Sequence, residues 1–435
     1  MKVVIAIDSL KGSLSSIEAG EAIREGILRA KPDADVVIKP LADGGEGTTD
    51  ALIEGLKGER VPLTVTGPFG RPVDCYYGYL KESRTAVMEM ASAAGITLEP
   101  IRDPMRATTR GVGEMILHAI ENGCRNFIIG IGGSATNDGG IGMLEALGYE
   151  FWDQNGDDVG DGGQALAKVS SFSDKNADPR LKECRFRVAC DVTNPLCGPM
   201  GATYIYGPQK GVTKDLLESL DRGMANFARV VTASVKIERN GILSPDMDIT
   251  VENSSQMNAV SDFTELPYTG KETSFMKIPA RMEEPNFAER PDMTEEPDFA
   301  QMPGAGAAGG LGFALLRFLN ADLTPGVELI LSATGLEKEV ADADVVVTGE
   351  GRLDHQTAMG KAPIGVAKLG KQYGAKVIAF AGSIAPGAEA CNAAGIDAFF
   401  PILRSVCTLE EAMNPQTAKE NMARTAEQVF RLLPD

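Results

Sequence analysis

One pattern constrains the fold more than any other: short β-branched runs that end in polar, glycine-rich loops, each followed by a helical stretch. VVIAI at 3–7 leads into DSLKGS and a helical pattern from Ser15 or Ser16 to about Ala30; DVVIK at 35–39 leads into PLADGGEGT and a helix from Thr48. FIIGIGG at 127–133, FRVAC at 186–190, DVVVTG at 344–349 and KVIAFAG at 376–382 repeat the rhythm. Continuously apolar strands alternating with helices predict parallel sheets covered on both faces, an α/β fold. In such sheets ligands bind beyond the carboxyl ends of the strands, where these polar loops fall. Several of the loops carry carboxylates, lysine or glycine clusters, so they are expected to converge on one site.

Charge and rare residues narrow the chemistry. A net charge of −19 disfavours nucleic acid and anionic membrane surfaces as partners. An anionic substrate must then be met by local Lys, Arg or backbone N–H groups. The first apolar run is broken at Asp8, too early for a signal-peptide core, and no later run is long enough to span a bilayer. The seven cysteines lack C-x-x-C spacing and are read as reduced thiols of a cytoplasmic protein. With only His118 and His355, neither a histidine triad nor a histidine-built metal site is available, and His118 is expected at the surface. Carboxylates remain for acid–base and metal work.

The loops supply candidates for that work. Lys11 follows the first strand and can neutralise phosphate oxygens. Asp43 and Glu46 stand among three glycines before a helix and suit Mg²⁺ or a substrate hydroxyl. In GIGGSATNDGG, Gly132, Gly133, Ser134 and Asn137 lie in a segment rich in backbone donors, a natural anion cradle. Asp191 ends a strand, placed as metal ligand or general base, with Asn194 after it and Lys210 in a later glycine-bounded turn.

PGAGAAGGLG carries G-x-G-x-x-G at Gly304, Gly306 and Gly309. No strand precedes it, so phosphate binding is expected there and dinucleotide binding is not. In GEGRLDHQTAMGKAP, Arg352 can grip a carboxylate and Lys361 a phosphate, with Asp354 between them. The segment is not a Walker P-loop, because position 355 is His where glycine is required and 362 is Ala where Ser or Thr is.

The run from about 236 to 302 differs in kind. It is acidic, rich in Pro and Met, and repeats EEPNFAERP (283–291) as EEPDFAQMP (295–303). Such composition predicts a loosely ordered insertion.

In order along the chain, DSLKGS, LADGGEGT, GPFGRPV, MASAAGI, GIGGSATNDGGIG, CDVTNPLCG, PGAGAAGGLG and GEGRLDHQT with GKAP resemble the bacterial-type glycerate kinases, the glycerate 2-kinase group. The resemblance covers residues 1 to about 235 and 303 to about 430. It implies ATP-dependent phosphorylation of D-glycerate with Mg²⁺, by two α/β domains around a cleft; whether the protein is a homodimer or a monomer stays open. A Rossmann-like domain would comprise 1–66 and 303–435, a second domain 67–235, and the insertion 236–302. Lys11, Asp43, Asp191, Arg352 and Asp354 stand where the family pattern has them, which leaves open which carboxylate is the base. In the expected site Lys11, Asp43 and Asp191 do the chemistry, and the two aspartates hold Mg²⁺. Arg352, Asp354, Glu46 and Asn194 bind the acid. Gly132, Gly133, Ser134, Asn137, Lys210, Gly304, Gly306, Gly309 and Lys361 bind the nucleotide.

Overall fold

The computed structural model describes residues 1–45, 47–239 and 297–434. Its strands, in chain order, are β1 (Lys2–Ile5), β2 (Asp35–Ile38), β3 (Glu59–Thr66), β4 (Pro72–Leu80), β5 (Thr85–Glu89), β6 (Asn126–Gly130), β7 (Glu150–Trp152), β8 (Ser171–Ser173), β9 (Arg185–Ala189), β10 (Asp322–Thr324), β11 (Val345–Leu353), β12 (Lys376–Ile384) and β13 (Ala398–Pro401). They form a five-stranded sheet ordered β13-β12-β11-β1-β2, a six-stranded sheet ordered β10-β9-β6-β5-β4-β3, and the pair β7-β8.

Every pairing in the five-stranded sheet is parallel. Both of its faces are buried, which is why its strands read as continuous apolar runs. Val3, Ile5, Val345 and Phe380 pack on one side with helices Ser16–Ala30 and Pro415–Arg431. Val4, Ala6, Val346 and Val377 pack on the other with helix Ala362–Gln372. The first helix starts where its sequence says it should. Ser15 and Glu18 form a reciprocal capping box, and the apolar face then recurs at Ala19, Ile23 and Ile27.

The six-stranded sheet is mixed, which corrects the expectation of wholly parallel sheets. β10, β9, β6 and β5 are parallel, but β4 pairs antiparallel with both β5 and β3. The tight β3–β4 turn, closed by the Gly67 N–H on Arg71 O at 2.7 Å, allows no other geometry. β3 therefore belongs to this sheet, and residues 59–66 do not go with the first one as expected. The stretch 304–324 also changes side, since helix Ala307–Leu319 packs into the core of the six-stranded sheet and β10 pairs with β9.

Two connections join the sheets: the one from β2 to β3, and the one from β10 to β11 that contains helix Gly326–Thr334. That helix serves both cores. Val327 and Leu331 pack with the five-stranded sheet, and Leu329 and Ile330 pack beneath β5, β6 and β9.

Most of the expected insertion lies outside the described residues, but its ends do not fit the expectation. Helix Lys214–Arg239 runs into its start. At its far end Ala300 is buried, Phe299 and Met302 pack on the core, and Ala300 O accepts the Leu196 N–H at 2.8 Å. His118 is half-buried rather than a plain surface residue, its ring edge-on to Tyr77 and Nδ1 3.3 Å from the phenol oxygen. All seven cysteines are unpaired. Among the described residues no helix is long and apolar enough to cross a membrane.

Candidate active site

The carboxyl ends of the neighbouring strands β6 and β9 and the connection that follows β2 surround a cavity of 460 Å³, lined by Asp43–Gly45, Ile131–Ser134, Ala189–Val192, Lys210 and Ala307–Ala308. Of the expected site residues, Asp43, Asp191, Gly132, Gly133, Ser134 and Lys210 meet here.

The two carboxylates come from different sheets and are brought together by close backbone crossing. Asp43 Oδ1 accepts the Gly45 N–H at 2.9 Å, which closes the DGG turn. Gly44 has φ +85, and a Cβ there would stand 2.7 Å from Gly326 Cα and 2.9 Å from the Ala189 side chain, so only glycine lets the connections pass. The Gly326 N–H in turn reaches Asp191 Oδ1 at 2.9 Å. Partial burial raises the Asp191 carboxyl above the ordinary range, the Gly326 N–H opposes that rise, and the charge of Asp43 adds to it. No described residue hydrogen-bonds the second oxygen of Asp191, and the residue lines the cavity.

Facing these carboxylates is the glycine loop after β6. The Ile96 N–H donates to Gly133 O at 2.8 Å and the Ala135 N–H to Ala94 O at 2.9 Å, so the loop is stitched to the MASAAGI segment. The N–H groups of Gly132, Gly133 and Ser134 have no acceptor among the described residues, the condition for an anion cradle. Lys210 is 2% exposed, and its ammonium donates to Ser134 Oγ at 2.7 Å and to Thr136 O at 2.8 Å. Burial pulls its pKa down to about 7, with the nearby Asp138 charge opposing.

A second cluster lies at the strand ends of the five-stranded sheet. Lys11 Nζ is 3.9 Å from Asp43 Oδ2, which links this cluster to the cavity. Asp8, 7% exposed, accepts the Ser9 N–H at 2.7 Å and is pushed up to about 7 by burial and by the Asp43 charge. Glu350 takes the Thr357 hydroxyl at 2.5 Å and faces Lys361 at 4.0 Å; burial raises it as well. Asp8 and Glu350 were absent from the expected site, although Asp8 was legible as the first polar residue after a strand.

Other expected site residues do different work. Arg352 is mostly in solvent, 3.8 Å from Asp354, and does not line the cavity. Asp354 holds its own loop, accepting the Gln356 N–H at 2.9 Å and the Thr357 N–H at 3.2 Å. Asn194 closes the 194–206 segment, donating to Met200 O at 2.8 Å and accepting from the Tyr206 hydroxyl at 2.6 Å. Asn137 is buried against Thr203. Gly304, Gly306 and Gly309 pack closely against neighbouring chain and do not themselves line the cavity. A Cβ on Gly306 would come 2.2 Å from Pro195 O, and one on Gly309 2.1 Å from Thr136 O. Glu46 lies outside the described residues.

Two sheets with strand ends around one cavity, paired carboxylates on one wall and unpaired N–H donors with a buried ammonium on the other, define an α/β enzyme that handles an anionic substrate. Comparison with known proteins narrows that class. The family model described as "Glycerate kinase family" matches residues 3–244 and 278–434, and the chain belongs to that family. The glycerate kinase of Bacillus subtilis (strain 168) is 42% identical over 431 residues, spanning 99% of this chain and 97% of its own. The glycerate 2-kinase of Escherichia coli (strain K12) is 40% identical over 435 residues, spanning 100% and 98%. A crystal structure from Salmonella typhimurium LT2, titled provisionally as a glycerate kinase 2, superposes with a TM-score of 0.79 at 39% identity, covering 99% of this chain and 97% of that one. The family match is interrupted between 244 and 278, inside the acidic, proline-rich segment.

Proposed function

We propose that this protein transfers the γ-phosphoryl group of ATP to the 2-hydroxyl of D-glycerate, giving 2-phosphoglycerate and ADP in the cytoplasm. The observation that carries the reading is the single cavity that holds Asp43 and Asp191 opposite Lys210 and the free N–H groups of Gly132–Ser134. Phosphoryl transfer needs positioning and charge neutralisation more than covalent help, and this is what such walls supply.

In the proposed reaction the glycerate hydroxyl oxygen attacks the γ-phosphorus, the bond to the β-phosphate oxygen breaks, and the unshared oxygen of Asp191 accepts the hydroxyl proton. Its raised pKa suits a base that must take a proton and later lose it. Lys11, on the Asp43 side, offsets phosphate charge. The donor set fits Mg²⁺, which is held by one or two carboxylates together with substrate phosphates and water; Asp43 and Asp191 would provide them. Among the described residues no group of three or more acidic, histidine or cysteine side chains is placed to hold a metal ion. Bound there, Mg²⁺ would neutralise charge on the phosphate oxygens.

Phosphorus NMR of a mixture of enzyme, D-glycerate, ATP and Mg²⁺ tests the reading. Growth of the 2-phosphoglycerate resonance with ADP supports it. Formation of 3-phosphoglycerate would refute the assigned hydroxyl, and unchanged ATP with correctly folded protein would refute the reaction.

A further inference from the structure

Arg352, the residue the sequence pointed to for the substrate carboxylate, does not line the cavity that holds Asp191. That separation matters because of the substrate's own dimensions. In a 2-hydroxy acid the carboxylate carbon is bonded to the carbon that bears the reacting hydroxyl. Whatever grips the carboxylate must therefore open onto the same cavity as the base that faces the hydroxyl. A triphosphate is long enough to be held further off, from cations such as Lys11 on the five-stranded sheet.

Among the residues lining the cavity, Lys210 is the one lysine or arginine. An ammonium has three N–H donors. Two are used on Ser134 Oγ and Thr136 O, and no described residue takes the third. The first two bonds fix the ammonium at Ser134 and Thr136, in the loop whose Gly132 and Gly133 N–H groups are also without acceptors among the described residues. A buried cation with a donor to spare is costly to keep unless an anion completes it.

We propose that Lys210, with the N–H groups of the Gly132–Ser134 loop, binds the carboxylate of the hydroxy-acid substrate and thereby sets the enzyme's preference for acids over neutral alcohols. The inference rests on the functional reading above, because it takes Asp191 as the group facing the acceptor hydroxyl. The cavity is larger than a three-carbon acid needs, and the remainder accommodates the incoming phosphoryl group from the Asp43 side.

The test compares D-glycerate with its uncharged amide, glyceramide, as acceptors for the native enzyme and for Lys210→Gln, whose amide N–H groups can still serve Ser134 and Thr136. Loss of a charge-assisted bond predicts a KM for D-glycerate raised roughly 10- to 100-fold, with a much smaller rise in KM for the amide and for ATP. An unchanged KM for D-glycerate with a raised KM for ATP would overturn the proposal and give Lys210 to the phosphates. Equal losses with acid and amide would also overturn it, leaving Lys210 as a purely structural anchor of the loop. Should Lys210→Gln fail to fold, Ser134→Ala removes one anchor of the ammonium and must raise KM for the acid selectively, or the proposal fails. Calorimetric binding of D-glycerate to the native protein separates the two readings: no binding at all rejects the functional assignment itself.

Discussion

Asp8 shows how one residue ties the site's electrostatics to stability. Its carboxyl is buried at the end of β1 and titrates near pH 7 in the folded chain, because burial and Asp43 both disfavour its charge. In the unfolded chain it titrates in the ordinary carboxyl range. Between these limits only the folded state carries the proton, so this group's contribution to stability is lost as pH rises toward and through about 7. Asp8→Asn keeps an acceptor for Ser9 and removes the buried charge. Relative to native protein, its melting temperature should rise by several degrees between pH 5 and pH 7.5; a gap that does not change with pH would contradict the assignment. A second residue-scale prediction concerns Gly309, where φ is +69 and a Cβ would meet Thr136 O at 2.1 Å. Gly309→Ala should cost about 1–3 kcal/mol in urea unfolding. A neutral outcome would mean that the two loops are not packed as described.

Among the elements, helix Gly326–Thr334 stands out because it faces two cores at once and its first N–H holds Asp191. Truncating Ile330, fully buried beneath the six-stranded sheet, should destabilise the protein by roughly 2–5 kcal/mol. Residual activity in the folded fraction should also fall, since Asp43 and Asp191 reach the cavity from different sheets. Activity per folded molecule equal to native would show that this helix does not set the site. The parallel strands were legible because both faces of each are covered, as the runs around Val3–Ile7 and Val345–Val347 display. β3 and β4 were not. An edge strand such as ERVPLTVT is half exposed and alternates, so it carries no continuous apolar signal. The same limit applied to the glycines. PGAGAAGG reads as a phosphate loop because glycine permits close approach, and the sequence does not say whether a ligand or Thr136 O makes that approach.

At the scale of the whole molecule, the strand-end loops converge as the sequence rhythm implied, but on two linked clusters rather than one ring. Asp43, Asp191, Ser134 and Lys210 share the cavity, while Lys11, Arg352, Asp354 and Lys361 lie toward the five-stranded sheet. Sequence chemistry ranks residue types well; it cannot tell a buried ammonium such as Lys210 from a solvated guanidinium such as Arg352. A molecule built this way should do its chemistry where the two sheets' carboxylates meet. The most direct test is the turnover number of Asp191→Asn with D-glycerate, ATP and Mg²⁺, measured by ADP release on protein whose melting temperature shows it to be folded. Turnover should fall roughly 10²- to 10⁴-fold. Turnover close to native would remove Asp191 from the reaction and place the chemistry elsewhere than this cavity.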